Sequence, residues 1–469
     1  MSDQRVESRT CFDGWKPASW RGIAAEPAYV YPDDDALGAA CTRLGELPPL
    51  VTSWEIARLK AQIGEAQVGE RFILQGGDCA ETLAECRPEL ITNKLKILLQ
   101  MSLVMIHGLR RPVTRVGRFA GQYAKPRSSS MESGEVDGVA CELPSYFGDL
   151  VNRAEFGESA RRPDPNLMVE GYKHASMTLN FIRSLLDGGF ADLHHPEYWD
   201  LSFFHNADLS AVRKAQYERM SRTLADGLSF MENLGEQRVH ESARVDFYTS
   251  HEGLNLYYEE AQTRTVPRRE GWFDLTTHLP WIGERNRNLD GPHIEFFRGI
   301  ENPVGVKVGP TMEGDELVRL IDALNPGNEA GKIVLIARMG AGKVEGCLPG
   351  LLARVKDEGR RVLWMVDPMH GNGTTTGSGI KTRNFDDILT ELERTVDAHR
   401  GAGTVLGGVH FELTGEDVSE CVGGASGVTE GDLSRNYVSL CDPRLNYQQS
   451  LELAFLLAGA MGREEGTGH

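Results

Sequence analysis

From about residue 71 onward, apolar residues follow two patterns that alternate along the chain. Short runs of consecutive, often β-branched apolar residues are separated by longer stretches in which apolar residues recur every three or four positions. The first pattern is typical of strands buried on both faces, and the second of amphipathic helices. The strand-like runs cover residues 71–78, 111–120, 244–252, 272–283, 302–310, 332–340, 361–371 and 404–415. Such alternation predicts an α/β protein with a parallel sheet and right-handed crossovers.

These eight runs predict a (β/α)₈ TIM barrel, because eight strand–helix repeats close naturally into that fold. A doubly wound open sheet is the alternative, since it shows the same alternation. The run at 361–371 is the most informative, because a buried strand, Val362–Val366, breaks abruptly into Asp-Pro-Met-His-Gly-Asn. His370 therefore falls just past a strand end, where barrel enzymes place their catalytic groups.

Two parts of the chain lie outside this alternation. Residues 1–68 contain two helix-period stretches and are predicted to be an N-terminal extension, either a cap over the barrel floor or an oligomer contact. Residues 69–469 are predicted to form the catalytic barrel. The interval 128–241, after the second strand, is far longer than a usual connection. It contains amphipathic stretches near Asn166–Leu186 and Ala207–Leu234, which predict a helical insertion.

Composition adds constraints on partners and compartment. The 469 residues are 40% hydrophobic and carry a formal net charge of -18, which argues against nucleic acid or an anionic membrane as a partner. No run approaches the roughly 18 apolar residues of a membrane helix, and the N-terminus lacks a signal-like apolar segment. We therefore expect a cytoplasmic protein. The eight cysteines are scattered without CxxC pairs, which disfavours a zinc ribbon or a disulfide framework.

Every strand-like run ends in ionisable residues. In a barrel the C-terminal ends of all strands meet on one face, so these side chains are expected to converge there. Any single lysine or arginine at such a position is more often a solvated surface charge, and only the recurrence around the barrel indicates a site. The residues at or just after the run ends are Asp78, Cys79, Arg118, His251, Glu252, Glu284, Arg285, Lys307, Arg338, His370 and Glu412.

One subset of these residues has the chemistry of a metal site. Cys79, His370 and Glu412 are joined by Asp442, which lies in the loop before the last helix. Thiolate and imidazole suit transition metals, whereas carboxylates suit harder ions. The mixture favours Mn²⁺, Co²⁺, Fe²⁺ or Zn²⁺ over Mg²⁺. Taken alone, Cys79 could be a small buried hydrophobe and Asp442 a helix cap.

A second subset is cationic. Arginine binds phosphate and carboxylate through a planar fork, and many cations on one face of an acidic protein indicate two anionic, phosphorylated substrates. Ion pairs with the many acidic residues could account for some of these cations. The subset comprises Arg118, Lys125, Arg127, Arg285, Lys307, Arg338, Lys381 and Arg383.

Several long segments resemble the type II 3-deoxy-D-arabino-heptulosonate 7-phosphate (DAHP) synthases. The similarity runs in order through most of the chain from about residue 45. The segments are LQGGDCAET (74–82), GRFAGQYAKPRS (117–128), WIGERNRNLDG (281–291), NPVGVKVGP (302–310), RMG (338–340), DPMHGN (367–372), KTR (381–383), HFELTGEDVSEC (410–421) and CDPRLNYQQSLELAFL (441–456).

The resemblance implies a transferase that condenses phosphoenolpyruvate with erythrose 4-phosphate and water to give DAHP and phosphate. This is the first step of the shikimate pathway, which supplies aromatic amino acids or aromatic natural products. The family's metal ligands fall on Cys79, His370, Glu412 and Asp442. Its phosphoenolpyruvate contacts fall on Arg118, Glu284, Arg285, Lys307 and Arg338.

The resemblance also assigns roles within the site. Lys125, Arg127 and Ser128 of the KPRS motif would serve the reacting centre and erythrose 4-phosphate. Catalytic roles are expected for Lys125, Glu284 and Lys307: Lys125 would protonate the developing alkoxide, and Glu284 would position or deprotonate the water. Cys441 would lie near Cys79, and oxidation to a disulfide would eliminate the metal site.

Two other hypotheses remain at this stage. A metal-dependent phosphosugar aldolase or isomerase on the same barrel would need one phosphate site and would release no phosphate. A regulatory subunit bound to a partner such as chorismate mutase would have lost ligands, and none of the expected ligands is missing. We also expect a homodimer or homotetramer, with the N-terminal extension as the contact.

Overall fold

The computed structural model describes residues 14–24, 28–127, 129–188 and 246–462. Its strands are β1 (Phe72–Gly77), β2 (Val113–Arg118), β3 (Met131–Val136), β4 (Val139–Pro144), β5 (Phe247–Glu252), β6 (Thr263–Arg264), β7 (Phe273–Asp274), β8 (Leu279–Ile282), β9 (Val304–Val308), β10 (Ile333–Ala337), β11 (Leu363–Val366), β12 (Gly373–Thr375), β13 (Lys381–Arg383) and β14 (Leu406–Glu412).

The helices mostly separate successive strands, and none that the structure describes combines the length and apolar character of a membrane span. They are α1 (Asp34–Glu46), α2 (Ser53–Gln67), α3 (Pro88–Leu109), α4 (Glu158–Arg161), α5 (Asn166–Asp187), α6 (Leu256–Gln262), α7 (Pro292–Phe297), α8 (Gly314–Leu324), α9 (Val344–Asp357), α10 (Phe385–Ala402) and α11 (Tyr447–Met461).

Eight strands form a closed parallel barrel in the order β1-β2-β5-β8-β9-β10-β11-β14. The barrel closes because β14 pairs in parallel with β1, with Gly408 opposite Ile73. This closure confirms the predicted (β/α)₈ fold and excludes the open sheet. Strands such as β10 are buried along their whole length, as their unbroken apolar sequence requires.

The run at 272–283 was predicted to be one strand, and the structure divides it. Phe273–Asp274 pairs antiparallel with β6, and only Leu279–Ile282 joins the barrel. Between them, the Asn302 amide donates to the carbonyl oxygens of Asp274 and Thr277 at 2.8 and 3.1 Å. Asn302 thus ties the end of β7 to the polar segment that interrupts the run.

Helix α2 lies against the N-terminal end of the barrel. Its side chains Leu59 and Ile63 are fully buried and form one apolar cluster with residues from the barrel strands, including Trp281 and Met365. The helix approaches closely, because a Cβ on Gly407 would lie 2.5 Å from the carbonyl oxygen of Ala66. This helix therefore closes the barrel floor. The division into an extension and a barrel domain stays a prediction.

The segment after β2 contains more than helices. Helix α5 (Asn166–Asp187) coincides with the first predicted amphipathic stretch, whereas the second, Ala207–Leu234, lies outside the described residues. Strands β3 and β4 form a hairpin that we did not predict. Its two-residue loop, Asp137-Gly138, has φ values of 53° and 80°, as a type I′ turn needs. The Asp-Gly pair between two extended runs was the available sequence signal.

Candidate active site

The predicted site residues that the structure describes line one cavity at the C-terminal ends of the barrel strands. Its volume is about 1140 Å³, and Ser128 lies outside the described residues. Not every strand-end group enters it, because His251 is buried and bonded to Glu259 at 2.8 Å. The lining includes Cys79, Arg118, Lys125, Arg127, Glu284, Arg285, Lys307, Arg338, His370, Glu412 and Asp442.

Four of these side chains converge as a candidate metal centre. One donor atom from each of Cys79, His370, Glu412 and Asp442 lies within 4.8 Å of the others. Three come from the ends of β1, β11 and β14, and Asp442 comes from the loop before α11. A thiol, an imidazole and two carboxylates form a donor set that fits a divalent transition metal. The residues present therefore fit such an ion.

A buried carboxylate orients the histidine of this centre. Asp367 Oδ2 lies 2.6 Å from His370 Nδ1, and Glu412 Oε1 lies 3.0 Å from Nε2. An imidazole held through one nitrogen by a carboxylate presents its other nitrogen to a metal. Asp367 also forms an ion pair with Lys307. Sequence reasoning gave Asp367 no role, although it stands three residues before His370 in DPMHGN.

The centre concentrates negative charge that neighbouring cations balance. Burial would raise the pKa of Glu412, but His370, Arg383 and Arg118 outweigh burial and hold the pKa well below its usual range. Burial would likewise lower the pKa of His370, but Asp367 and Glu412 dominate and raise it to about 10. Positive charge is thus strongly favoured at this point, which is what a bound divalent ion would supply.

Two thiols meet at the edge of the centre. Cys79 Sγ and Cys441 Sγ lie 3.0 Å apart, and both cysteines are free. Hydrogen bonding to Cys441 raises the pKa of Cys79 well above its usual value, and the same bond lowers the pKa of Cys441. The predicted proximity is confirmed, and the disulfide itself stays a prediction.

The cations divide into paired and unpaired groups. Arg118 Nη2 donates to Glu412 Oε1 at 3.1 Å, and its guanidinium lies 5.1 Å from the centroid of the Trp281 ring. Arg338 forms an ion pair with Glu284 and donates to the carbonyl oxygen of His370 at 2.7 Å. Within the described part of the chain, Arg285 has no acidic partner. A cation lining a cavity without a partner is well suited to bind an anion.

Lys125 and Lys307 lie on two sides of the cavity. Lys125 Nζ donates to the carbonyl oxygen of Leu440 and lies 5.5 Å from the centroid of the Tyr146 ring. Burial lowers the pKa of Lys307, and this effect exceeds the opposing one of Asp367. The cavity is therefore lined by one lysine from the loop after β2 and by another from the barrel strand β9.

Glu252 is a further carboxylate that lines the cavity, and sequence reasoning left it without a role. It ends β5 and lines the cavity. Burial raises its pKa, and the cations Lys307 and Arg118 only partly offset this effect. Glu252 was named as a strand-end residue, and its position on a barrel strand was the signal that could have assigned it to the site.

Comparison with known proteins agrees with this geometry. Residues 15–458 match the model of a family described as the Class-II DAHP synthetase family. The chain is 44% identical over 461 residues to a phospho-2-dehydro-3-deoxyheptonate aldolase of Neurospora crassa, covering 95% of this chain and 94% of the relative. It is also 44% identical over 440 residues to a Streptomyces coelicolor protein of the same name, covering 94% and 96%.

Proposed function

The chain belongs to the class-II DAHP synthetase family, and from this premise we propose that it condenses phosphoenolpyruvate with erythrose 4-phosphate and water in a metal-dependent reaction. The products would be DAHP and phosphate, at the first step of the shikimate pathway. The observation that carries the proposal is one cavity in which four metal donors within 4.8 Å of each other adjoin a wall of arginines and lysines.

Cys79, His370, Glu412 and Asp442 would hold the metal. When bound there, a divalent ion would act as a Lewis acid toward the aldehyde of erythrose 4-phosphate. Mn²⁺ or Co²⁺ is the first expectation, and Fe²⁺ or Zn²⁺ also suits the donors. Asp367 would keep the His370 ring in the required orientation through its bond to Nδ1.

The cationic wall would bind and orient phosphoenolpyruvate. Arg285, which forms no ion pair among the described residues, and Lys307 would take its phosphate and carboxylate. Arg118 and Arg338 are held in place by Glu412 and Glu284. Holding the enol carbon at attack distance from the aldehyde removes the entropic cost of bringing two substrates together.

Proton transfer would fall to residues on two sides of the cavity. Attack by C3 of phosphoenolpyruvate on the aldehyde would form the carbon–carbon bond, leaving positive charge at C2 and an alkoxide, which Lys125 would protonate. Water then adds at C2, positioned or deprotonated by Glu284, and phosphate leaves the resulting hemiketal. Arg127 and Ser128, which follow Lys125 in the KPRS motif, would bind erythrose 4-phosphate.

The test compares phosphoenolpyruvate consumption and phosphate release in EDTA-treated and Mn²⁺-restored protein, each with and without erythrose 4-phosphate. We expect turnover only when the metal and the aldose are both present. Cleavage or isomerisation of a phosphosugar without phosphate release would instead support the aldolase alternative. Metal binding without consumption of phosphoenolpyruvate, with erythrose 4-phosphate or other phosphorylated aldoses, would refute the proposal.

Assembly and location remain predictions. A homodimer or homotetramer is expected, and chorismate mutase is a possible partner. Light scattering of the protein alone measures its oligomeric state, and light scattering with a chorismate mutase shows whether the two proteins bind.

A further inference from the structure

Glu391 is a buried glutamate outside the cavity that the proposed reaction does not use. It lies on α10 and has no exposed surface, whereas Glu393, two positions further along the same helix, is exposed. A fully buried carboxylate is costly unless it is hydrogen-bonded. The cost indicates that its contacts have a purpose that an apolar side chain could not serve.

The carboxylate of Glu391 accepts three hydrogen bonds from two different loops. Oε1 accepts from the backbone N–H groups of Met339 and Gly340 at 2.7 and 2.8 Å. Oε2 accepts from Nδ2 of Asn372 at 2.7 Å. Burial raises the pKa of Glu391 to about 7, whereas these donors favour its ionised form.

The two loops carry residues of both halves of the site. Met339 follows Arg338, and Asn372 lies two positions after His370. Asn372 also connects the loops directly, because its Oδ1 accepts from Ala341 N at 2.9 Å. Its Nδ2 donates to the carbonyl oxygen of Pro368 at 2.8 Å. Glu391 thus lies behind the histidine of the metal centre and the arginine of the cationic wall.

Backbone packing shows that these loops must stay close. Gly340 has a φ of 87°, and a Cβ on it would lie 2.8 Å from the carbonyl oxygen of Gly371. On the cavity side, Arg338 donates to the carbonyl oxygen of His370 at 2.7 Å. The contact is therefore held from the cavity by Arg338 and from behind by Glu391.

We propose that Glu391 is a positioning residue that clamps the Arg338 and His370 loops together, so that the metal centre and the phosphoenolpyruvate wall keep a fixed relative geometry. The inference rests on the proposed function for the identity of the two ligands. It predicts that one side chain, in contact with neither ligand, affects the affinity for both.

The donor and acceptor pattern makes Glu391→Gln a sharp test. All three partners are donors, and a glutamine can present only one acceptor oxygen to them. If the glutamine oxygen keeps the bonds to Met339 and Gly340, the glutamine amide nitrogen faces Nδ2 of Asn372, and two donors oppose each other. Turning the Asn372 amide would not help, because Nδ2 of Asn372 would then face the donor Ala341 N. The substitution preserves side-chain volume, so it loosens the clamp without leaving a cavity.

The experiment measures Mn²⁺ affinity without substrates, by titration calorimetry, and KM for phosphoenolpyruvate at saturating Mn²⁺. In Glu391→Gln we expect the Mn²⁺ Kd and the KM each to rise about tenfold, in the range found for residues behind metal ligands. Glu393→Gln, an exposed change on the same helix, should leave both values unchanged. Below the onset of thermal unfolding, where each variant is fully folded, a lower stability alone would move neither Kd nor KM.

Asn372→Ala covers the case in which Glu391→Gln fails to fold. It removes the bond between Glu391 and the loop that carries His370, and it leaves the bonds of Glu391 to Met339 and Gly340. Mn²⁺ affinity should therefore fall by a larger factor than KM rises. Unchanged Kd and KM in either folded variant, with only a lower unfolding temperature, would overturn the clamp. Wild-type protein that binds Mn²⁺ but never consumes phosphoenolpyruvate would count against the proposed function instead, and the Kd comparison would still decide the metal half.

Discussion

The two ends of the barrel differ in what their side chains do. At the N-terminal end, Leu59 and Ile63 of α2 pack into an apolar cluster with the barrel strands. At the C-terminal end, His370, Glu412 and Arg383 form a dense array of charges around a cavity. Parallel strands place all their C-terminal ends on one face, so one end can be specialised for chemistry while the other provides stability. Substitutions at the two ends should therefore have separable effects.

His370→Ala should have the largest effect on activity. It removes one metal donor, and losing several kcal/mol of transition-state stabilisation corresponds to roughly 10⁴-fold in rate. Activity in added Mn²⁺ and Mn²⁺ binding by calorimetry measure the loss. The thermal unfolding midpoint should stay near that of the wild type, because His370 lies at the cavity. Retained metal affinity would contradict the assigned ligand set.

Lys125→Met should reduce kcat by about 10³-fold, within the range for removal of a general acid. The metal donors do not include Lys125, so Mn²⁺ binding should be intact, as should binding of phosphoenolpyruvate. Single-turnover kinetics with both substrates measures the chemical step. Near-normal turnover with intact binding would remove Lys125 from its proposed role.

Ile63→Ala tests the opposite end of the barrel. The side chain is fully buried against the strands, and truncating such a residue costs about 2–5 kcal/mol. We expect a lower midpoint in thermal unfolding, while kcat and KM at low temperature stay unchanged. Ala61→Ser, at an exposed position of the same helix, is the matched control. A large change in KM without a change in stability would break the division between the two ends.

Glu284→Gln should lower kcat by about 10²-fold, because a neutral amide cannot deprotonate water. KM for phosphoenolpyruvate should also rise, since Glu284 pairs with Arg338. Steady-state kinetics separates the two effects. If kcat is normal, Glu252 becomes the candidate for the proton transfer, and Glu252→Gln tests it.

An added oxidant should change the number of free thiols little in metal-loaded protein and clearly in metal-free protein. A disulfide between Cys79 and Cys441 would form when an added oxidant such as oxidised glutathione accepts the two electrons and the thiols lose their protons. The sulfurs must close from 3.0 Å to about 2.05 Å. Thiol titration of metal-free protein should then show two fewer thiols after oxidation than before it, whereas Cys441→Ser treated identically should form no such disulfide. Both thiols remaining free would refute the pairing.

Sequence by itself determined the strands and most of the cavity. The apolar runs depend on local burial, and each of the eight predicted runs contains one barrel strand, although the run 272–283 also contains the separate strand β7. Because side chains at strand ends converge in any parallel barrel, Cys79, His370 and Glu412 could be grouped without a structure. Asp442, which follows no strand, entered the predicted ligand set through its chemistry and the family resemblance.

Only the tertiary structure decided how distant segments meet. Cys79 and Cys441 are 362 positions apart, and their separation of 3.0 Å depends on how the last loop packs over β1. The ion pair of Asp367 with Lys307 and the bonds of Glu391 likewise join segments whose local sequences contain no sign of the contact. Periodicity reports which face of an element is buried, whereas the partner it is buried against is set by the packing of the whole chain.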